Sequence, residues 1–318
     1  MSLLHEAPGY LQVFSDGTVK RFTPEIASAS PADPTNGFKS KDVVIGSSPE
    51  PITGRIYVPD GEQEAASDDE LLAVIFYFHG GGFCIGSTSW LGYHQFLGSL
   101  SVRSKSIVLS VDYRLAPENK LPIAYHDCYS ALGWVRANQK VETFLERSDL
   151  SRIFLAGDSA GGNIVHQVTI QSLKAINNGI TIKGIMLIHP YFGSEKRTKL
   201  ETKAGSAANV AMNDMFWRLS LPEGCNRDFY GCNFDNNNAT GLSADEWLRF
   251  PAVIVFVAGL DFLKERGVMY TEYLRRKTVK WVELVEAEEE GHVFHVFHPD
   301  SEATRLLQEK MTQFMYAV

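Results

Sequence analysis

Four uninterrupted apolar runs constrain this chain more than any other feature of its sequence: "LLAVIFYFHG", "SIVLSVDY", "IKGIMLIHPYF" and "PAVIVFVAGLDFL". A strand with one wet face alternates apolar and polar residues, whereas a strand covered on both faces reads as a continuous hydrophobic stretch. "SRIFLAG" is a further strand, and "KDVVIG" and "GRIYVP" read as opening strands. Between the runs lie segments at helical spacing. One covers about 122–138, opened by Pro122 and carrying Tyr125, Ala131, Leu132 and Val135. A second, "AGGNIVHQVTIQSLKAI", places Ile164, Val168 and Leu173 near one face, and "SEATRLLQEKMTQFMYAV" closes the chain as a helix. Strands alternating with helices predict an α/β fold with a mostly parallel central sheet and helices on both faces.

The 318 residues suffice for one large domain, and no internal repeat or low-complexity linker divides them. The acidic "EQEAASDDE" reads as a solvated loop. Residues 194–247, with "NDMFWRLSLPEG" and "NFDNNNATG", break the alternation and are expected to be a cap inserted between strands of a single domain spanning 1–318. A net charge of −8 spread along the chain argues against nucleic acid as a partner. No window is apolar enough for a membrane span, and "MSLLHEAPGYLQVF" has no secretory pattern, so a cytoplasmic location is expected. On that reading "NAT" at Asn238 is a coincidental match to the glycosylation pattern. Cys84, Cys128, Cys225 and Cys232 lack metal-site spacing and read as buried free thiols, with a Cys225–Cys232 pair left open.

The chemistry begins at "AGDSAGGN", residues 156–163. Gly157-Asp158-Ser159-Ala160-Gly161 is a G-x-S-x-G pentapeptide between an apolar strand and a helix. So sharp a turn exposes the serine hydroxyl, and side chains at 157 or 161 would collide with neighbouring elements. The helix N-terminus points backbone N–H groups at developing negative charge. Taken alone, the pentapeptide also fits a tight turn with a capping serine. "FHGGGF" at 78–83 ends another central strand, where the second source of oxyanion donors belongs. We therefore assign the oxyanion hole to Gly81, Gly82 and Ala160. A flexible loop or phosphate cradle is the competing reading of the glycines, but no Lys-Ser/Thr ending and no G-x-G-x-x-G accompany them.

A serine hydroxyl needs a base near neutral pH. "EEEGHVFHVFH" offers His292, His295 and His298, a spacing that also invites a metal reading. His292 follows Gly291 just past the last predicted strand, where a loop can swing the ring over the sheet, and it is the expected base. His295 and His298 are expected to be structural or surface residues. Asp261 lies just past the preceding strand and is the expected acid, with helix capping as its alternative role. Asp158 and Glu265 sit less well at strand ends. The order Ser159, Asp261, His292 is that of α/β-hydrolases.

"HGGGF", "SVDYRLAPEN", "LAGDSAGGNIVH", "AGLDFLKERG" and "EGHVFH" together resemble the plant carboxylesterase family of hormone-sensitive-lipase-like α/β-hydrolases, over roughly residues 40–318. The resemblance implies the same triad and oxyanion hole, a bracing turn at "DYRLAPE", and an N-terminal segment of about 1–40 that joins the cap. It implies hydrolysis of esters of small to medium apolar metabolites, plant-specialised or hormone-like, with no cofactor or metal; a monomer or homodimer is expected. Within the same family, hydroxyisoflavanone dehydratases and alkaloid cyclases use the pocket for elimination or cyclisation. Gibberellin receptors look similar but have lost the catalytic histidine, which is present here. Phe83, Ile85, Trp90, Tyr191, Phe192, Met215 and Trp217 are the candidate substrate-binding residues, each of which equally suits the core.

Overall fold

The computed structural model describes residues 2–34, 36–46, 50–60, 71–175, 179–236 and 240–318. The acidic stretch after Gly61 and Asn238 lie outside the described residues. Among the described residues, eleven strands run in chain order: β1 Leu3–Ala7, β2 Leu11–Phe14, β3 Val19–Arg21, β4 Phe38–Gly46, β5 Ile52–Pro59, β6 Leu72–Phe78, β7 Ser106–Asp112, β8 Ser148–Asp158, β9 Ile182–Ile188, β10 Ala252–Ala258 and β11 Val282–Ala287. The helices are α1 Leu91–Ser104, α2 Ile123–Asn138, α3 Ala160–Lys174, α4 Ala207–Ser220, α5 Ala244–Leu248, α6 Lys264–Arg276, α7 Phe294–Phe297 and α8 Glu302–Ala317.

β4 to β11 form one sheet in the order β11-β10-β9-β8-β6-β7-β5-β4. Every pairing from β11 to β7 is parallel, and the two pairings at the far edge, β7 with β5 and β5 with β4, are antiparallel. This is the mostly parallel sheet predicted from the apolar runs, in the α/β-hydrolase arrangement that the triad order and the family resemblance imply. All seven residues of β6 are buried, and they divide by parity. Val74, Phe76 and Phe78 enter the core under α2, α3 and α6, whereas Ala73, Ile75 and Tyr77 enter the core under α1 and α8. Period-two geometry thus sends one continuous hydrophobic run into two cores.

The nucleophile's helix departs from the amphipathic reading. From Ala160 to Ile170 every residue of α3 is buried, while Leu173 is only half-buried. α3 lies against β8, β9 and α2, so it has no wet face for most of its length. The N-terminal strands β1–β3 form a separate antiparallel sheet. Ala7, Leu11 and Val13 of that sheet pack with Met215 and Leu219 of α4 and with Cys84 and Ala116. Residues from Phe38 onward already belong to the central sheet. The cysteine expectation needs one correction: Cys84, Cys128 and Cys232 are buried, but Cys225 is exposed, and all four are free.

Candidate active site

Ser159 stands between the last residue of β8 and the first of α3, with φ 51° and ψ −116°. A non-glycine residue at positive φ is strained and persists only where its surroundings over-determine it. Here the Ser159 N–H donates to Ile188 O at 2.8 Å, and Ser159 O accepts from Tyr191 N–H at 2.9 Å. The flanking glycines are steric requirements. A Cβ on Gly161 would lie 1.7 Å from Phe78 O, and one on Gly157 would lie 2.5 Å from the Gly161 carbonyl carbon.

The loops after β10 and β11 bring the other two groups to this turn. Ser159 Oγ is 3.0 Å from His292 Nε2, and His292 Nδ1 is 2.6 Å from Asp261 Oδ2. Asp261 also fills its alternative role, because its second oxygen, Oδ1, accepts from Leu263 N–H at 2.9 Å at the head of α6. One carboxylate therefore orients the imidazole and is itself held by the helix. Burial opposes ionisation of Asp261, but the His292 charge and hydrogen bond prevail and lower its pKa. For His292, burial disfavours the cation, yet the Asp261 charge outweighs it and raises the ring's pKa.

Gly81 and Gly82 line the same cavity as Ser159, and Ala160 follows it as the first residue of α3. Both glycines have positive φ, 105° and 58°, and a Cβ on Gly81 would lie 2.2 Å from Ile85 O. Asp158 proves to be the anchor of this loop rather than a triad acid. Its Oδ1 accepts from Tyr77 OH at 2.7 Å and from Gly80 N–H at 3.1 Å, and its Oδ2 accepts from Tyr93 OH at 2.9 Å. Burial pushes its pKa up to about 6 against the pull of the two tyrosine hydrogen bonds. The "DYRLAPE" turn braces the loop from the other side, with Tyr113 OH donating to His79 O at 2.9 Å. Glu265 is engaged elsewhere, its Oε2 accepting from Leu200 N–H at 2.7 Å.

His295 is fully buried, 3.3 Å from Tyr77 OH, and burial lowers its pKa to about 3; His298 is exposed. Neither reaches Ser159. The histidine that sequence reasoning missed is His189, just past β9. It brings a ligand-type atom within 4.8 Å of others from Asp261 and His292. The three do not make a metal centre as they stand. His189 Nδ1 accepts Val293 N–H at 2.9 Å, so the neutral ring carries its proton on Nε2. A metal there would also have to replace the Asp261–His292 hydrogen bond. Burial first, and then the His292 charge, keep His189 well below the usual imidazole pKa. Its role here is to hold the backbone beside His292.

The cavity over Ser159 measures about 590 Å³. Ile85, Trp90 and Tyr191 line it as expected. Phe83, Phe192, Met215 and Trp217 do not. Phe83, Phe192 and Trp217 pack in the core under α2, α3 and α6, and Met215 packs against β1 and β2. The error on α4 is one of phase. Its lining residues are Asn209, Met212, Asn213 and Phe216, a stripe at i, i+3, i+4 and i+7, while 215 and 217 point into packed cores. That periodicity was available in the sequence. The contributions of Ala7, Pro8 and Tyr10 were not.

A family model described as alpha/beta hydrolase fold matches residues 75–296. A probable carboxylesterase 6 from Arabidopsis thaliana is 41% identical over 72% of this chain and 69% of its own. The chain belongs to the plant carboxylesterase family. Another relative of this carboxylesterase-family chain, a 2-hydroxyisoflavanone dehydratase from Glycyrrhiza echinata, is 32% identical over 98% of this chain and 95% of its own. Among solved structures, an esterase from Pyrobaculum calidifontis superposes with a TM-score of 0.70 at 28% identity, covering 88% of this chain and 85% of that one.

Proposed function

We propose that the chain is a serine carboxylesterase acting on esters of small to medium apolar metabolites. One observation carries the reading: Ser159, His292 and Asp261 form an unbroken hydrogen-bonded chain at the edge of a cavity walled by Gly81 and Gly82. In the reaction, Ser159 Oγ attacks the ester carbonyl carbon while His292 Nε2 takes its proton. Asp261 holds the proton on Nδ1 and stabilises the imidazolium. The N–H groups of Gly81, Gly82 and Ala160 receive the carbonyl oxygen as it becomes an oxyanion. The C–O bond then breaks, and the imidazolium protonates the departing alcohol. Water, deprotonated by His292, releases the acid and restores the serine.

Two segments are assigned a capping role, β1–β3 and the region around α4. Ala7, Pro8 and Tyr10 from the first, and the α4 stripe from the second, both face the cavity. Among the described residues no helix is long and apolar enough to cross a membrane. We place the protein in the cytoplasm, because four free thiols, one of them exposed, suit a reducing compartment.

Elimination is the second reading, favoured by the dehydratase that aligns with nearly the whole chain. It would use His292 as the base and the same N–H groups to stabilise an enolate, without acylating Ser159. Hydrolysis of p-nitrophenyl acetate, butyrate and octanoate by the wild type and by Ser159→Ala separates the two. The esterase reading expects turnover that falls by several orders of magnitude in the variant, about the 10⁶-fold scale of nucleophile loss. A well-folded wild type that leaves all three esters intact would overturn it.

A further inference from the structure

Three consecutive residues of the glycine loop stand at positive φ: Gly81 at 105°, Gly82 at 58° and Phe83 at 64°. For the two glycines this conformation is accessible, but so are several others, and a turn of either peptide would swing its N–H away from the oxyanion. For Phe83 it is strained and persists only where the surroundings over-determine it. Hydrogen bonds tie the two ends of the loop. His79 O accepts from Tyr113 OH, Gly80 N–H donates to Asp158, and Phe83 O accepts from Ala116 N–H at 2.9 Å. Among the described residues, no hydrogen bond engages the N–H of Gly81 or of Gly82. That freedom is what an oxyanion donor needs, and it leaves the middle of the loop to be fixed by packing.

The packing comes from α4. Phe216 and Trp217, adjacent on that helix, meet Gly82 and Phe83, adjacent in the loop. A Cβ on Gly82 would lie 2.7 Å from Phe216 Cγ, so the ring occupies the place of the missing side chain. Trp217 and Tyr191 flank Phe83, with ring centroids 5.5 and 6.0 Å away. α4 is itself tied to the nucleophile's turn. Tyr191 OH donates to Asn213 O at 2.9 Å, one helical turn before Phe216, and Tyr191 N–H donates to Ser159 O. Trp217 is fully buried, whereas Phe216 is half-buried and lines the cavity.

We infer that Phe216 is a positioning residue for the oxyanion hole: its ring, packed on Gly82, keeps the Gly81 and Gly82 N–H groups aimed at the developing oxyanion. α4 thereby contributes to turnover as well as to the cavity wall. The inference rests on the esterase reading and on the hole which that reading assigns.

The test uses p-nitrophenyl acetate, whose single methyl makes little use of the α4 wall. Phe216→Ala is expected to lower kcat about tenfold to a hundredfold with KM nearly unchanged, the scale of a misaimed oxyanion donor. Phe216→Leu refills most of the contact and should recover most of the turnover. Trifluoroacetone adds to Ser159 and places an oxyanion in the hole, so its inhibition should weaken in Phe216→Ala by the factor that kcat loses. A loss confined to KM, or no loss, overturns the proposal. Hydrogen exchange at Cys84 and Ile85, whose N–H groups both bond Gly81 O, at 3.0 and 3.1 Å, reads the loop without any turnover. It should quicken in Phe216→Ala, and unchanged exchange likewise overturns the proposal. A wild type that leaves the ester intact would instead defeat the esterase reading, and the exchange comparison then decides by itself whether Phe216 holds the loop. If Phe216→Ala does not fold, the milder truncation Phe216→Val carries the same expectations.

Discussion

His292 and Asp261 share a 2.6 Å hydrogen bond, and at the scale of single residues its consequence is a pH profile. The base works only as neutral imidazole, and its pKa is held above the usual 6.5. On the esterase reading, kcat/KM should therefore fall as the pH drops through a value above 6.5. Asp261→Asn removes the charge that raises the pKa, so the acid limb is expected to move to lower pH while kcat drops on the order of 10⁴-fold. A limb that stays in place in the variant would mean that another group titrates there. The residues of this chain were legible in sequence where function requires a residue type at an element boundary, as at Ser159, Asp261 and His292. His189 gave no such signal, since its contact with Val293 N–H spans 104 positions.

At the scale of elements, the β8–α3 turn and α2 place opposite demands on glycine. Gly161 has no room for a Cβ, which would meet Phe78 O at 1.7 Å. Gly161→Ala should destabilise the fold by roughly 3 kcal/mol or more, through displacement of backbone that cannot yield. Gly133 lies on the exposed side of α2, with nothing within 4 Å of an added Cβ. Gly133→Ala is expected to stabilise by about 0.8–1 kcal/mol, the helix-propensity difference between the two residues. Urea-unfolding midpoints of the two variants test both signs. The same scale explains the misread lining of α4. Its apolar residues occupy more than one face, so hydrophobicity alone did not separate the cavity stripe from the packed ones, whereas the helical period does.

At the scale of the whole molecule, the N-terminal sheet is tied to the glycine loop through Arg21. Its guanidinium donates to Cys84 O at 2.7 Å and to Ala116 O at 2.8 Å, and it pairs with Glu118. The ion pair is partly exposed and contributes little. The two carbonyl contacts matter more, since they join β3 to residues beside Gly81 and to the bracing turn. Arg21→Ala should cost about 1–2 kcal/mol. With the wall formed by Pro8 and Tyr10 loosened, KM for p-nitrophenyl octanoate is expected to rise more than KM for the acetate. Equal KM changes for the two esters would show that the N-terminal sheet does not shape the acyl pocket.

The sequence by itself determined the central sheet, the turn that carries Ser159, and the order of serine, acid and base. These follow from local rules: a strand covered on both faces must be apolar throughout, and a sharp strand-to-helix turn excludes side chains at 157 and 161. Tertiary structure alone decided which face of each element turns to the cavity. Phe83 and Trp217 are as aromatic as Tyr191, yet they pack in the core while Tyr191 lines the site. It also decided that Asp158 anchors Gly80, that His189 holds the loop of His292, and that Phe216 packs on Gly82. Each of these depends on where distant segments meet, and a side chain's chemistry is the same whether it turns to the core or to the cavity.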